Sequence, residues 1–277
     1  MTWWAIDVRP EPHRRDRVGA WLVARTGHAV EEREDGTLVT FAQDERSADA
    51  LIAALAAEQG SPLQAARRPL EAVDWSTRWR EGLGPRRFGR LTVVPSWVEP
   101  PATQGDPVVV LDPESAFGSG EHGSTRAALT LLERYVRPAH RVLDLGSGSG
   151  ILAIAAVKLG AASAVGIESD PEANPIAWRN AERNSAVGAV QFVEGDAGDL
   201  APLLGPADIV VSNILRTVNT ALLPAIMSAV RPEGLALFSG MEASEASVFR
   251  PALAAAGWRA RDETVDAGWW AVAAGRP

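Results

Sequence analysis

One short segment restricts the possible folds of this chain more than any other. VLDLGSGSGILAIAA, residues 142–156, runs from an apolar stretch through Gly146, Gly148 and Gly150 into small apolar residues. Glycine loses more conformational freedom on folding than other residues, so this spacing indicates that something must approach the backbone closely. The pattern predicts a strand, a glycine turn and a helix, with the acid Asp144 just before the turn.

From this segment onward, strands and helices are predicted to alternate. The expected strands are Arg141–Leu145, Ser163–Glu168, Val190–Glu194, Asp208–Ser212 and Leu235–Ser239, and the expected helices are Ile151–Leu159, Pro171–Ser185 and Thr220–Val230. Such alternation favours a Rossmann-like, doubly wound α/β sheet. The final segment, GWRARDETVDAGWWAVAA, has two strand-like runs with no helix between them, which predicts an antiparallel edge strand.

The preceding residues predict a second, smaller domain. Residues 1–70 have the pattern strand–helix–strand–strand–helix–strand, which is typical of a ferredoxin-like α+β domain. Residues 71–90 carry Trp75 and Trp79 four positions apart and then become basic and glycine-rich. We therefore predict a linker helix and hinge at residues 71–90, followed by the larger domain at 91–277.

Composition limits the classes of partner. The formal net charge of −8 argues against direct nucleic-acid binding and suits a basic protein partner. With no cysteine, the chain has no disulfides, cysteine nucleophiles or thiolate metal sites. The N-terminus becomes charged too early for a signal peptide, and Lys158 and Gly160 interrupt the longest apolar run. We expect a cytoplasmic protein with no membrane span, and a monomer.

The glycine turn is compatible with two cofactor classes. Dinucleotide enzymes use G-x-G-x-x-G, whereas S-adenosylmethionine-dependent methyltransferases use G-x-G-x-G. Here Ile151 stands where the third glycine of the dinucleotide pattern should be. Glu168, after the second predicted strand, can accept hydrogen bonds from both ribose hydroxyls in either class. Asp196, after the third strand, could accept from the adenine amino group, so a nicotinamide oxidoreductase stays an alternative at this point.

Two further segments narrow the choice. LDPESAFGSGEHGSTRAAL, residues 111–129, and VVSNIL, residues 210–215, together with the glycine turn, resemble the ribosomal protein L11 methyltransferase (PrmA) family. Residues 73–240 carry the resemblance, and the first 70 match only in size and element order. Glu114 stands where the family has glycine, and Ser119, Ser124 and Glu168 replace threonine, threonine and aspartate.

The resemblance implies S-adenosylmethionine as cofactor and methylation of lysine or N-terminal amines of a basic ribosomal protein. It implies binding roles for Thr125, Gly146, Glu168 and Asn213. Further candidates come from the glycine turn, from the end of the third predicted strand and from the loop that precedes Thr125. The full candidate cofactor-binding set is Phe117, Gly118, Thr125, Gly146, Gly148, Glu168, Asp196 and Asn213. A related methyltransferase of another protein or a small amine, and a non-enzymatic cofactor-binding module, are the alternatives.

Asn213 is also the candidate catalytic residue, because it follows the fourth predicted strand and could orient the acceptor amine. Isoleucine and leucine follow it instead of the two prolines and aromatic that clamp planar acceptors, which favours a tetrahedral amine. Capping of the next helix is the structural alternative. His122 has no second ligand at metal-binding spacing, so we predict no metal site, a loop-shaping role for His122 and no dedicated general base.

Substrate selection is assigned to residues 1–70, since none of the cofactor motifs falls there. The tryptophans, among them Trp269 and Trp270, are expected in the core or at a domain interface.

Overall fold

The computed structural model describes residues 3–26, 30–33, 35–59, 64–69, 83–102 and 105–277. The chain divides into two compact units, Met1–Gly82 and Leu83–Pro277. The predicted linker helix with Trp75 and Trp79 lies outside the described residues. The limits 1–70, 71–90 and 91–277 therefore stay a prediction from sequence.

The first unit is an antiparallel sheet with two helices on one face. Its elements are β1 (Trp4–Arg9), α1 (Arg15–Thr26), β2 (Glu31–Glu32), β3 (Leu38–Ala42), α2 (Glu45–Gln59) and β4 (Gln64–Pro69). The strand order is β2-β3-β1-β4, and every neighbouring pair is antiparallel. Because side chains alternate along a strand, Ile6 and Val8 face the helices, where they share a core with Leu22 and Leu55.

The second unit begins with a small sheet. Strands β5 (Arg86–Phe88), β6 (Leu91–Pro95) and β7 (Val108–Leu111) form it, and α3 (Gly123–Tyr135) follows. The alternating region is β8 (Arg141–Leu145), α4 (Ile151–Lys158), β9 (Ser163–Glu168), α5 (Ala173–Arg183), β10 (Val190–Glu194), α6 (Ala197–Leu204), β11 (Ala207–Asn213), α7 (Arg216–Ala229) and β12 (Val230–Glu242). It ends with α8 (Ala246–Ala255), β13 (Arg259–Asp266) and β14 (Trp269–Gly275).

The large sheet has the order β10-β9-β8-β11-β12-β14-β13. Strands β8 to β12 are parallel to their neighbours in this series, and β14 pairs antiparallel with both β12 and β13. The observed fold is thus the predicted doubly wound sheet with an antiparallel edge.

Helices cover both faces of this sheet. Along β8, Val142 belongs to the core beneath α3 and α4, whereas Leu143 and Leu145 belong to the opposite core, beneath α7 and α8. Strands buried on both faces read as continuous apolar runs, which explains the sequence of β11. Within the described residues, no helix is both long and apolar enough to cross a membrane.

The topology determines where a ligand can bind. From β8 the chain builds outward to β9 and β10, then returns to place β11 on the other side of β8. The strand order reverses between β8 and β11, and in open α/β sheets ligands bind at the carboxyl ends of the strands at such a point. The glycine turn follows β8 at this place.

Candidate active site

A cavity of about 540 Å³ opens at the carboxyl ends of these strands. This volume lies in the range typical of small-molecule and cofactor sites. Its lining is Phe117, His122, Ser124, Gly146, Gly148, Ile167, Glu168, Ser169, Gly195, Asp196, Ala197, Asn213, Ile214, Leu215, Val218, Leu222, Gly240 and Trp269. All of these residues belong to the second unit.

The glycine turn is pressed against another segment of the chain. Gly148 has φ of +50°, and a Cβ there would lie 2.5 Å from the carbonyl oxygen of Phe117. The N–H of Ser149 donates to that oxygen at 2.9 Å, and its hydroxyl donates to the Gly118 carbonyl at 2.7 Å. The Phe117 backbone therefore requires glycine at position 148, a contact that the sequence did not predict.

Asp144 lies fully buried beneath the turn. Its Oδ2 accepts a hydrogen bond from the Ala153 N–H at 3.0 Å, while Oδ1 has no partner in the described part of the chain. Burial raises the pKa of Asp144 to about 7; the Ala153 hydrogen bond opposes this shift, and the charge of Glu168 adds to it. A carboxyl in this position is substantially protonated at neutral pH.

Glu168, at the end of β9, reaches back to the glycine turn. Its Oε2 accepts from the Gly148 N–H at 2.9 Å, and Oε1 accepts from the N–H groups of Ser169 and Asp170 at 2.9 and 3.0 Å. Three backbone donors thus hold the carboxylate at the cavity wall. Because a carboxylate offers about four acceptor positions, these three bonds leave about one for a ligand hydroxyl, on Oε2, which has a single backbone donor.

Asp196 lines the cavity and caps α6. Its Oδ1 accepts from the N–H groups of Gly198 at 2.7 Å and Asp199 at 3.3 Å. Both bonds go to one oxygen, so the cap also fixes where Oδ2 lies. This arrangement suits an acceptor of a ring amino group.

Asn213 is the last residue of β11, and only one of its two side-chain polar atoms has a hydrogen-bond partner among the described residues. Its Nδ2 donates to Thr125 Oγ1 at 3.3 Å, whereas its buried Oδ1 has no partner among the described residues. Leu215 is the N-cap of α7, so Asn213 does not cap that helix. A buried acceptor without a partner costs about 1–3 kcal/mol, which makes Oδ1 available to a ligand donor.

Asn219 supports the turn that follows Asn213. Its Nδ2 donates to the carbonyls of Ile214 at 2.9 Å and Ser239 at 2.8 Å, and its Oδ1 accepts from Ser212 Oγ at 2.7 Å. Sequence reasoning missed this fully buried residue. An asparagine on the inner face of a helix, six positions after a site residue, was the available signal.

Three rings form one wall of the cavity, which we term the aromatic wall: Phe117, His122 and Trp269. The His122 ring centroid lies 4.2 Å from that of Trp269 and 5.4 Å from that of Phe117. His122 Nδ1 lies 2.7 Å from Ser124 Oγ. Burial, and to a lesser degree the charge of Arg126, lowers the pKa of His122.

The tip of the β13–β14 hairpin brings Trp269 to this wall. A Cβ on Gly123 would lie 2.5 Å from Trp269 Cδ1, so glycine there allows the close approach. Arg126 Nε donates to Asp266 Oδ1 at 3.1 Å and ties α3 to the hairpin. Trp270 is in the core as predicted, whereas Trp269 is partly buried and lines the cavity. Because β14 runs antiparallel to β12, it starts at the edge of the sheet where the carboxyl ends of the parallel strands lie. Trp269, its first residue, is therefore placed beside the cavity.

Of the predicted site residues, the structure gathers six around the cavity: Phe117, Gly146, Gly148, Glu168, Asp196 and Asn213. Thr125 and Gly118 do not line it; Thr125 is fully buried behind Asn213, and the Gly118 carbonyl binds Ser149. Among the residues that the structure describes, no cluster of three or more His, Asp or Glu side chains could hold a metal ion.

Comparisons with known proteins agree with this geometry. The family model described as "Ribosomal protein L11 methyltransferase (PrmA)" matches residues 16–277. The ribosomal protein L11 methyltransferase of Pelotomaculum thermopropionicum is 40% identical over 244 residues, covering 87% of this chain and 79% of the relative. The ribosomal protein L11 methyltransferase of Thermus thermophilus is 39% identical over 204 residues, covering 73% of this chain and 78% of the relative.

A solved structure is also similar. The crystal structure of a ribosomal protein L11 methylase from Lactobacillus delbrueckii subsp. bulgaricus superposes with a TM-score of 0.61 at 30% sequence identity. The match covers 70% of this chain and 99% of that one.

Proposed function

The chain belongs to the ribosomal protein L11 methyltransferase (PrmA) family, and on that premise we propose how its residues carry out the reaction. It is an S-adenosylmethionine-dependent protein methyltransferase, and its substrate is ribosomal protein L11. The observation that carries the site assignment is the single cavity lined by the glycine turn, Glu168 and Asn213.

The residues present fit S-adenosylmethionine. The cavity volume of about 540 Å³ suits a ligand of this size, and side-chain-free backbone at Gly146 and Gly148 borders it. Apolar side chains of Ile167 and Leu222 offer contacts for a purine ring. The unpartnered Oδ1 of Asn213 lies on the same lining and is left for an N–H of the acceptor amine.

We assign the binding contacts residue by residue. The backbone at Gly146 and Gly148 would hold the amino-acid part, Glu168 the ribose hydroxyls and Asp196 the adenine amino group. Phe117 and Gly118 belong to the loop that closes over the methionine end. Thr125 acts through Asn213, whose amide it orients by accepting from Nδ2.

The cofactor supplies an electrophilic methyl group on a sulfonium, and the electron pair of the broken bond stays on sulfur. The protein must present a neutral amine in line with that bond and exclude water, so positioning provides most of the rate enhancement. Asn213 Oδ1 can accept an N–H of the amine and direct its lone pair. The aromatic wall supplies an apolar surface for the aliphatic part of the acceptor.

Substrate selection is assigned to the first unit. Its antiparallel order β2-β3-β1-β4, with both helices on one face, supports a ferredoxin-like domain. The described lining residues all belong to the second unit and offer little surface with which to choose a protein. The net charge of −8 favours a basic ribosomal protein over nucleic acid. A cytoplasmic monomer is the form we propose.

One experiment tests the function directly. Purified protein is incubated with L11 and S-adenosylmethionine labelled in the methyl group, and label is measured in L11. Calorimetry with S-adenosylmethionine, its demethylated product and NAD runs in parallel. We expect label in L11, micromolar binding of the first two ligands and none of NAD. Binding without transfer to L11 would reject the substrate assignment, and binding of NAD alone would reject the cofactor site.

A further inference from the structure

His122 has a more specific environment than a loop-shaping residue needs. Its ring lies between Phe117 and Trp269, and its Nδ1 is hydrogen-bonded to Ser124 Oγ at 2.7 Å. Within the part of the chain that the structure describes, Nε2 has no hydrogen-bond partner. When Nδ1–H donates to Ser124, Nε2 keeps its lone pair, because the partner of one nitrogen fixes the state of the other.

Two adjacent hydroxyls of α3 orient the two polar groups of the site. Ser124 Oγ holds the imidazole of His122, and Thr125 Oγ1 holds the amide of Asn213. The Ser124 carbonyl accepts from Ser239 Oγ at 2.8 Å, which ties this first helical turn to β12. The arrangement leaves one free acceptor on each group: Nε2 of His122 and Oδ1 of Asn213.

Building on the proposed function, we propose that His122 is a catalytic residue that takes the proton from the acceptor ammonium before methyl transfer. The N–H bond of the ammonium breaks, its electron pair stays on nitrogen, and the proton moves to Nε2. The positive charge passes from the ammonium to the imidazolium, and the proton later leaves to solvent. Asn213 Oδ1 holds a remaining N–H of the neutral amine.

The other groups on the lining are less suited to this task. Glu168 and Asp196 each hold backbone N–H groups, and the carboxamide of Asn213 is not basic. Burial together with Arg126 keeps the pKa of His122 below its usual 6.5, so the ring is neutral at physiological pH and can accept a proton. The charged group that acts on His122 is Arg126, which pairs with Asp266; the adjacent Glu121 pairs with Arg86. Glu168 and Asp196 are the other charged residues on the described lining.

The test compares pH profiles of His122→Gln and the wild type, using the full chain, L11 and labelled S-adenosylmethionine. Glutamine has a similar size and places an amide near the Nε2 position, but it cannot take a proton. Between pH 7.5 and 9.5 we expect a nearly flat kcat/KM for the wild type. For the variant we expect a rise of about tenfold per pH unit, because free lysine loses its proton only near pH 10.4. The deficit should be about 100-fold at pH 7.5 and should almost vanish at pH 9.5.

A matched control is His140→Gln, at the opposite end of β8, which should keep the wild-type profile. Ser124→Ala should show a weaker form of the same pH-dependent loss, and calorimetry should give S-adenosylmethionine affinities within about threefold of wild type for every variant. A His122→Gln deficit that stays constant across pH, or no deficit at pH 7.5, overturns the inference. Failure of the wild type to label L11 would instead overturn the proposed function.

Discussion

At the cavity, the carboxylates of Glu168 and Asp196 accept hydrogen bonds from five backbone N–H groups in total, whereas the acceptor atoms Asn213 Oδ1 and His122 Nε2 have no partner in the described chain. We call the first two the carboxylate pair and Asn213 with His122 the imidazole–amide pair. Backbone donors fix the carboxylate pair, so positioning its members needs no ligand. The imidazole–amide pair is oriented by hydroxyls behind it and offers free acceptors to the cavity.

This difference separates binding from reaction. The cofactor presents the same hydroxyl and amino groups in every reaction cycle, so carboxylates that backbone hydrogen bonds have already positioned can hold it. A reacting amine, which must lose a proton and be aimed, needs acceptors with unused capacity. Substitutions in the two pairs should therefore change different measured quantities.

The largest effect is expected at Gly148, which is linked to one member of each pair: its N–H binds Glu168, and its Cα faces Phe117, which contacts His122. Gly148→Val should abolish measurable S-adenosylmethionine binding in calorimetry, a loss of more than about 100-fold. It should also displace the 117–120 loop, since the added Cβ would lie 2.5 Å from the Phe117 carbonyl oxygen. The Phe117 loop should then become more susceptible to limited proteolysis. Gly188→Val is the matched control, because nothing lies within 4 Å of its Cβ position. Retained affinity in Gly148→Val would contradict the site.

Asn213→Ala tests the imidazole–amide pair. We expect kcat for L11 to fall by about 100-fold, because a misplaced acceptor loses the alignment on which the transfer depends. The Kd of S-adenosylmethionine should change by less than about fivefold. Equal losses in kcat and affinity, measured by initial rates and calorimetry, would make Asn213 a cofactor or folding residue.

Glu168→Ala tests the carboxylate pair and should give the reverse pattern. Loss of charge-assisted bonds to the ribose should weaken S-adenosylmethionine by roughly tenfold to a hundredfold, with kcat at saturating cofactor nearly unchanged. Glu168→Asp should be much milder, because it keeps the charge. An affinity loss below about twofold in the alanine variant would remove Glu168 from the binding site.

The sequence was sufficient for the parts of this site that follow from local pattern. Glycines after a strand, an acid at the end of the next strand and an amide at the end of the fourth must meet at one edge of a parallel sheet. The contacts that relate these residues to distant segments could not be predicted. Gly148 faces Phe117, and Thr125 binds Asn213 across 88 positions.

The fold shows the same limit. The alternating elements were predicted because each carries its own periodicity, yet β12 runs from Val230 to Glu242, well beyond the expected Leu235–Ser239. Its flanking residues pair with β11 and β14, and such pairing depends on neighbours rather than on local sequence. The position of Trp269 on the cavity lining also depends on this pairing, since Trp269 is the first residue of β14.

Asp144, buried beneath the glycine turn, should make stability depend on pH. Its pKa of about 7 in the fold exceeds the unfolded value of about 3.9, so the folded state retains a proton that the unfolded state loses. The stabilisation is therefore present below pH 4 and is lost as the pH rises to 7, on the order of 1.4 kcal/mol per unit. Asn imitates the protonated acid and should not show this loss.

The test is urea denaturation of the wild type and of Asp144→Asn between pH 4 and 8. The difference between their free energies of unfolding should grow up to about pH 7 and then level off. In Glu168→Gln, the growth should end at a lower pH, because the neighbouring charge is gone. A difference independent of pH would mean that Asp144 is ionised in the folded protein.

The smallest effect concerns Glu114, which lies outside the cavity lining and stands where the family has glycine. Its φ of +48° disfavours a side chain by roughly 1–2 kcal/mol, and its carboxylate forms two hydrogen bonds, at 2.9 and 2.7 Å, to Arg179 of α5. Both side chains are partly exposed, so the pair contributes about 0–1 kcal/mol.

Glu114→Gly removes the strain and the ion pair together, so we expect stability within about 1 kcal/mol of wild type. Glu114→Ala keeps the strain and should be less stable than Glu114→Gly by about 1 kcal/mol. Arg179→Ala should cost about as much as the ion pair is worth in the wild type and nothing in the Glu114→Gly background, as urea denaturation would show. Since Glu114 does not line the cavity, L11 methylation should be unchanged in Glu114→Gly. A change of more than about threefold in kcat/KM would mean that this ion pair positions the Phe117 loop, and so that the departure from the family's glycine bears on the substrate.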